Sequence, residues 1–151
     1  MKVNYTIKEA SKTKFEILRD DANYIESPVA VVVDITYAPS VYNPNVNNTY
    51  CTLSFMHDRA HYALDLLESG KLEELLKNAG FECNKEGEIF YTLKDIEYGT
   101  AVKYIEGMSL IDYNNLHKAY YRIDRKAESE KTKLVNELTE KIKSRKSGVG
   151  V

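Results

Sequence analysis

Several features that mark membrane, secreted or disulfide-rich proteins are missing from this 151-residue sequence. The longest apolar run, residues 29–33, ends at Asp34 and is much shorter than the roughly 18 apolar residues of a membrane span. The first residues contain no apolar signal segment, and two cysteines indicate a reducing compartment rather than a disulfide framework. We therefore expect a cytoplasmic protein that does not associate with a membrane.

The glycine and cysteine patterns of common cofactor and catalytic sites are also missing. The seven glycines match neither the GxGxxG nor the GxxxxGKS/T phosphate-binding pattern, and there is no GxSxG nucleophile turn. Cys51 and Cys83 have no CxxC partner, so we expect buried structural thiols rather than nucleophiles. No cofactor is expected.

Charge is unevenly distributed along a chain whose formal net charge is −2. Residues 116–151 carry a net charge of +5, whereas residues 1–115 carry −7. This asymmetry indicates either a basic arm with its own partner or an acidic body held to its own basic helix. Lysine outnumbers arginine sixteen to five, and Asn, Ile and Tyr are frequent, as AT-rich codons would give. Such a composition fits a low-GC bacterium, or a phage or mobile element living in one.

The first third of the sequence has the polar–apolar alternation that is typical of β-strands. Apolar residues alternate over residues 3–7, and the pattern resumes at Phe15 and Ile17 after a turn-forming stretch. Residues 29–37 are the most strand-like segment, and their β-branched run predicts a central strand that is buried on both faces. Residues 49–56 alternate again and are expected to pair beside it.

The middle of the chain has the leucine spacing of a helix. Residues 58–79 predict one helix, or two helices if Ser69-Gly70 interrupts the pattern, with Gly80 just past the end. Residues 84–87 then predict a hairpin turn between strands at 81–83 and 89–93.

Residues 95–107 are ambiguous, since they permit either a helix or a strand around Gly99, and the helix is preferred. No repeat or low-complexity linker divides the chain. We therefore expect residues 1–151 to form a single α+β domain, in which an antiparallel sheet from the N-terminal third packs against helices.

The C-terminal region predicts one long amphipathic helix over residues 109–145. Ser109 and Asp112 form a capping-box pattern at its start, and apolar residues follow in steps of mostly three, four or seven. About 35 residues at 1.5 Å each give a helix of roughly 50 Å, which a body of this size cannot cover.

The second half of that helix carries a narrow apolar stripe, formed by Leu134, Leu138 and Ile142. Its width is that of a coiled-coil seam, so we expect it to join copies of the chain in a homo-oligomer. The alternative is a break near residues 128–131 that lets the stripe fold back on its own chain.

A loop rich in proline and asparagine, residues 38–48, is the strongest candidate for a binding surface. Tyrosine is enriched in interfaces because it offers a large contact area at little entropic cost. The candidate binding residues are Tyr37, Tyr42, Asn43, Asn45 and Tyr50. They would contact an unidentified protein or small ligand, or alternatively the tyrosines pack beneath an ordinary connection.

His57 and His61 are candidate metal ligands, because residues four apart share a helical face and two imidazoles can then bind one zinc ion. Asp58 occupies the position of the general base in HExxH metalloproteases, but no third ligand stands at a recognised spacing, and His117 lies on a distant helix. The alternative is a polar helix start with two solvent-facing histidines.

A basic cluster near the C-terminus is a candidate nucleic-acid surface, formed by Lys141, Lys143, Arg145 and Lys146. Such residues neutralise phosphates. Glutamates interleave with these cations, however, and that pattern also suits a solvated, salt-bridged helix.

The function that we expect from the sequence is non-catalytic: recognition of a partner or sequestration of a ligand through the 38–50 region. The composition extends this to a phage or mobile-element accessory protein that inhibits a host system. The alternatives are nucleic-acid binding by the basic helix and metal-dependent hydrolysis by His57 and His61.

Overall fold

A six-stranded sheet forms the centre of the fold. The computed structural model describes residues 3–81, 87–123 and 128–146. The strands are Tyr5–Glu9 (β1), Lys14–Arg19 (β2), Val29–Pro39 (β3), Asn47–Phe55 (β4), Ile89–Asp95 (β5) and Thr100–Lys103 (β6). They follow chain order across the sheet, and every neighbouring pair is antiparallel except β4 and β5, which are parallel.

Within the described residues four α-helices accompany the sheet, so the predicted α+β class is confirmed. They are Ala60–Glu68 (α1), Lys71–Asn78 (α2), Leu110–Arg122 (α3) and Glu128–Lys146 (α4). α1 and α2 lie in the connection between the parallel strands β4 and β5. Gly70 separates these two helices at a φ of 74°, as the Ser69-Gly70 signal predicted, because glycine adopts this left-handed conformation without a Cβ clash.

The core lies between the helices and one face of the sheet. Alternate residues of the central strands are buried on that face: Val31, Val33, Ile35, Cys51, Leu53, Phe55 and Leu93. The residues between them, such as Val32 and Thr52, are only partly buried. β3 is therefore central in strand order, but the expectation that both of its faces are buried is wrong. β-branched residues favour a strand whichever face they lie on, so a run of them does not by itself show that both faces of the strand are covered.

The segment that was ambiguous in sequence forms a strand hairpin and not a helix. β5 ends at Asp95, the chain turns at Gly99 with a φ of 69°, and β6 pairs antiparallel with β5. Only four residues of β6 alternate between buried and exposed, a length at which helical and strand patterns cannot be told apart. Phe81 lies outside any strand, and the predicted turn at 84–86 and Cys83 lie outside the described residues.

The predicted single helix over residues 109–145 is wrong, because α3 ends at Arg122 and Ile123 has an extended backbone, with a ψ of 135°. The capping box of Ser109 and Asp112 is confirmed at the start of α3. α4 returns antiparallel along α3. The Arg145 guanidinium near the end of α4 lies 2.6 Å from the Asp112 carboxylate at the start of α3.

The apolar stripe of α4 faces its own chain. Ile142 is buried, and Leu134 and Leu138 pack against the core cluster, so the fold-back alternative accounts for the stripe. α3 and α4 span about 20 and 28 Å at 1.5 Å per residue, which removes the length argument for a partner helix. Self-association of the chain stays a prediction.

No helix within the described residues has the length and apolar character that a membrane crossing requires.

Candidate metal centre

The parallel strand pair brings distant residues together at one edge of the sheet. Phe55 at the end of β4 is in register with Asp95 at the end of β5. His57 follows β4 directly, in a short 3₁₀ turn. Ligand sites are common at such an edge, because the chain leaves two neighbouring strands at the same place. α3 completes the cluster by placing His117 beside the same carboxylate.

Asp95 is the centre of the cluster and is completely buried. Its Oδ1 accepts hydrogen bonds from the backbone N–H groups of Glu97 and Tyr98, at 3.0 and 3.2 Å. Its Oδ2 lies 2.5 Å from His57 Nδ1 and 3.3 Å from His117 Nε2. A carboxylate is buried at this depth only when other groups compensate its lost hydration. Here two turn amides fix one oxygen, so the other is directed at the two imidazoles.

His117 is almost completely buried, and its Nε2 is unsatisfied. The nitrogen lies near Asp95 Oδ2 without hydrogen-bond alignment and has no hydrogen-bond partner among residues 3–81, 87–123 and 128–146. Burial lowers the pKa of His117, opposing and outweighing the Asp95 carboxylate, and the nearby His57 ring lowers it further. This direction favours the neutral imidazole, which is the form that binds metal ions.

His57 is the most exposed member of the cluster, with a side chain that is 41% exposed. Its ring lies edge-on to Tyr98, with 4.6 Å between centroids, and 5.3 Å from the ring of His117. His57 therefore has a buried side, toward Asp95, and an open side.

A pocket of about 600 Å³ adjoins this open side. Seven residues line it: His57, Tyr98, Asn114, His117, Lys118, Tyr121 and Arg122. Five of them come from α3 at relative positions 0, 3, 4, 7 and 8, the spacing of a single helical face. Its volume is in the range of small-molecule sites.

The three side chains suit a single metal ion. One potential ligand atom from each of His57, Asp95 and His117 lies within 4.8 Å of the others. Ligands at about 2.0 Å from a tetrahedral zinc ion stand about 3.3 Å apart, which is the separation of His117 and Asp95. His57 would have to withdraw from Asp95 by somewhat less than 1 Å, and its exposed side leaves room for that movement.

The predicted pairing of His57 with His61 does not form. His57 precedes α1, whereas His61 lies within it and is exposed against the ring of Tyr62, outside the cluster. The histidine pair of the cluster is instead His57 and His117.

The predicted binding loop does not present its tyrosines on one surface. Tyr42 at the tip is 98% exposed, and Asn43 and Asn45 form the turn there through a side-chain hydrogen bond. Tyr37 stacks on Phe81, while Tyr50 stacks on Phe90. Because Tyr37 pairs with Thr49 and not with Tyr50, these two tyrosines lie on opposite faces of the sheet.

The predicted nucleic-acid cluster is partly paired within the chain. Arg145 binds Asp112, Lys143 lies near Glu140, and Lys146 lies near Glu106. Lys141 is exposed beside the α3–α4 groove. The cations therefore share their charge with carboxylates, as the interleaved glutamates indicated.

Asp95 was absent from the sequence candidates, although one signal marked it. It continues the alternation of Leu93, so a charged residue occupies a core-facing strand position. His117 lies 60 residues from His57 in sequence, so spacing alone does not connect the two. Its signal is the polar face that it shares with Asn114, Lys118 and Tyr121 on a helix that must also bury an apolar side.

In comparisons with known proteins, no family model matches the chain, and no curated protein or solved structure matches it significantly.

Proposed function

We propose that this chain binds a divalent transition-metal ion, of which zinc is the best fit, through His57, Asp95 and His117. The observation that carries the proposal is the convergence of two imidazoles on one oxygen of a fully buried carboxylate, with one imidazole nitrogen lacking a hydrogen-bond partner among the described residues. A metal ion would replace the hydrogen bond between His57 Nδ1 and Asp95 Oδ2 and would satisfy His117 Nε2.

The ligand set supports a reactive rather than a purely structural centre. Structural zinc sites are closed by four protein ligands, whereas catalytic sites have three and leave a position for water or substrate. Here the fourth position would face the 600 Å³ pocket. A zinc-bound water ionises near neutral pH, so the centre would be of the hydrolytic type. The proposal therefore keeps the metal-dependent hydrolase alternative, with Asp95 and His117 in place of His61 as the partners of His57.

Calorimetric zinc titration of metal-free protein tests this proposal. We expect one equivalent to bind, and His57→Ala and Asp95→Asn to abolish stoichiometric binding. His61→Ala is the matched control, since it removes an exposed imidazole four residues away, and it should bind zinc like wild type. No binding by folded wild-type protein, or equal loss in the His61 variant, contradicts the proposal.

Non-catalytic recognition of a partner or sequestration of a ligand through the 38–50 region is the second proposal. Val41 and Tyr42 are more than nine-tenths exposed, which supports a contact surface at this tip. A partner from a bacterial host that is retained by wild type and lost with Tyr42→Ser would fit a protein that inhibits a host system. If wild type and Tyr42→Ser retain the partner equally, the loop does not bind it and this proposal is contradicted.

Self-association is a separate proposal that light scattering tests directly. The α4 stripe no longer supports it, so a homo-oligomer would have to use another surface, and a monomer at all concentrations contradicts it.

A further inference from the structure

The pocket beside the three candidate ligands has a cationic wall. Asn114, Lys118 and Arg122 stand four residues apart along α3, so they lie on one helical face. Lys118 and Arg122 are exposed, and neither has an ion-pair partner within the described residues. No aspartate or glutamate is among the seven lining residues. Within the part of the chain that the structure describes, the wall therefore presents positive charge without a paired carboxylate to whatever enters.

We infer that the pocket takes a phosphate ester whose organic part carries a planar ring, with the phosphate held between the metal ion, Lys118 and Arg122. This inference rests on the proposed metal centre, which supplies the third positive group. A terminal phosphate has three non-bridging oxygens, so one can bind the ion while the others face the ammonium and the guanidinium. Arg is suited to such an oxyanion because its planar fork donates two parallel hydrogen bonds.

The remaining wall of the pocket is aromatic. The Tyr121 side chain is 62% exposed and that of Tyr98 is 47% exposed, and the two rings meet edge-to-face at 5.4 Å. Together they give the pocket a ring-lined side next to its cationic side. A ligand with a planar ring and a phosphate matches both, whereas a bare inorganic anion would leave the tyrosines uncovered.

Phenylphosphonate is a suitable probe, because its carbon–phosphorus bond resists hydrolysis. Zinc stoichiometry is measured first, and the zinc-loaded protein is then titrated calorimetrically with phenylphosphonate and with benzoate. We expect the zinc-loaded protein to bind phenylphosphonate at least tenfold more tightly than benzoate. It should also bind phenylphosphonate more tightly than the metal-free protein does. The double variant Lys118→Ala/Arg122→Ala should keep its zinc and lose at least tenfold in phenylphosphonate affinity.

The matched control is Lys133→Ala/Lys141→Ala, which removes the same charge from exposed positions on α4 and should bind like wild type. If the zinc-loaded protein does not bind phenylphosphonate, or binds benzoate equally well, the inference is overturned but the proposed metal centre is not. Equal losses in both double variants also overturn it, since they would reflect overall charge alone. Failure of the zinc titration itself overturns the proposed function and the inference together.

Discussion

Asp95 is a buried carboxylate whose two oxygens serve different purposes. Oδ1 caps the turn that follows β5 through the amides of Glu97 and Tyr98. Oδ2 contacts His57 and His117. One residue thus joins the local chain reversal to the candidate metal centre, and its two roles can be separated by substitution.

Replacing Asp95 by alanine should destabilise the protein more than replacing it by asparagine. Alanine leaves the turn amides and the His57 N–H without their acceptor, which costs about 2 kcal/mol. Asparagine keeps an acceptor for the turn but not the negative charge, so it should recover much of the stability and none of the zinc binding. Urea unfolding measures the difference, with Asp58→Ala as an exposed control. Equal stability of the two Asp95 variants would contradict the turn role.

At the scale of elements, the packing of α4 depends on a close approach at Gly107. This residue has a φ of 94°, and a Cβ built on it would lie 2.5 Å from Lys146 Cε and 3.1 Å from Ile142 Cγ2. Glycine is therefore favoured at position 107 for two reasons: the backbone has a positive φ, and side chains of α4 lie close to the Cβ position.

Gly107→Ala should lower the free energy of unfolding by more than Gly80→Ala does. Gly80 has a similar φ of 85° but open space around its Cβ position, so it reports the backbone strain alone, about 1–2 kcal/mol. The difference between the variants measures what it costs to move Ile142, since Lys146 Cε lies near the end of a flexible, half-exposed side chain. Equal effects in thermal or urea unfolding would show that Lys146 and Ile142 move aside freely.

The ion pair of Arg145 and Asp112 joins the end of α4 to the start of α3. Burial raises the pKa of Asp112, but Arg145 and the hydrogen bonds with Ser109 lower it by more, so the net shift is downward. Since the folded-state pKa lies below the unfolded value of about 3.9, the stabilisation is present above that pH. It is lost as pH falls through the lower, folded-state pKa.

Arg145→Ala should therefore destabilise the protein near neutral pH by about 1 kcal/mol, a modest value because the guanidinium is half exposed. The difference from wild type should shrink below about pH 4 as Asp112 becomes protonated. Thermal melts from acid to neutral pH measure this, with Lys143→Ala as the control. A difference that is constant with pH would exclude the carboxylate as its source.

At the scale of the whole molecule, metal binding should be coupled to stability. An ion that binds only the folded chain stabilises it by about 2.7 kcal/mol at a hundredfold excess over Kd, or about 5–10 °C in Tm for a chain of this length. Wild type and His61→Ala should show this rise in thermal melts with zinc, and His57→Ala should not. A rise in the His57 variant would place the ion elsewhere.

Local patterns predicted most elements of the fold, but not the contacts that form the site. The alternation of polar and apolar residues located β1 to β4, and the Ser109–Asp112 capping box located the start of α3. Each of these signals spans only a few neighbouring residues of the sequence. The parallel pairing of β4 with β5 depends on a crossover through two helices, which no local pattern encodes. Local spacing therefore pairs His57 with His61, four residues away, although its partners in the structure are Asp95 and His117, 38 and 60 residues away.

The parallel pairing also governs the order in which the molecule can be assembled during synthesis. The antiparallel strand pairs close over short loops, whereas the pairing of β4 with β5 must wait for α1, α2 and β5, and longer closures form more slowly. His117 emerges later still, on α3. A nascent chain released as far as β5 would hold His57 and Asp95 without their third member. Any activity at this edge would thus begin only after α3 has emerged and packed against β5 and β6.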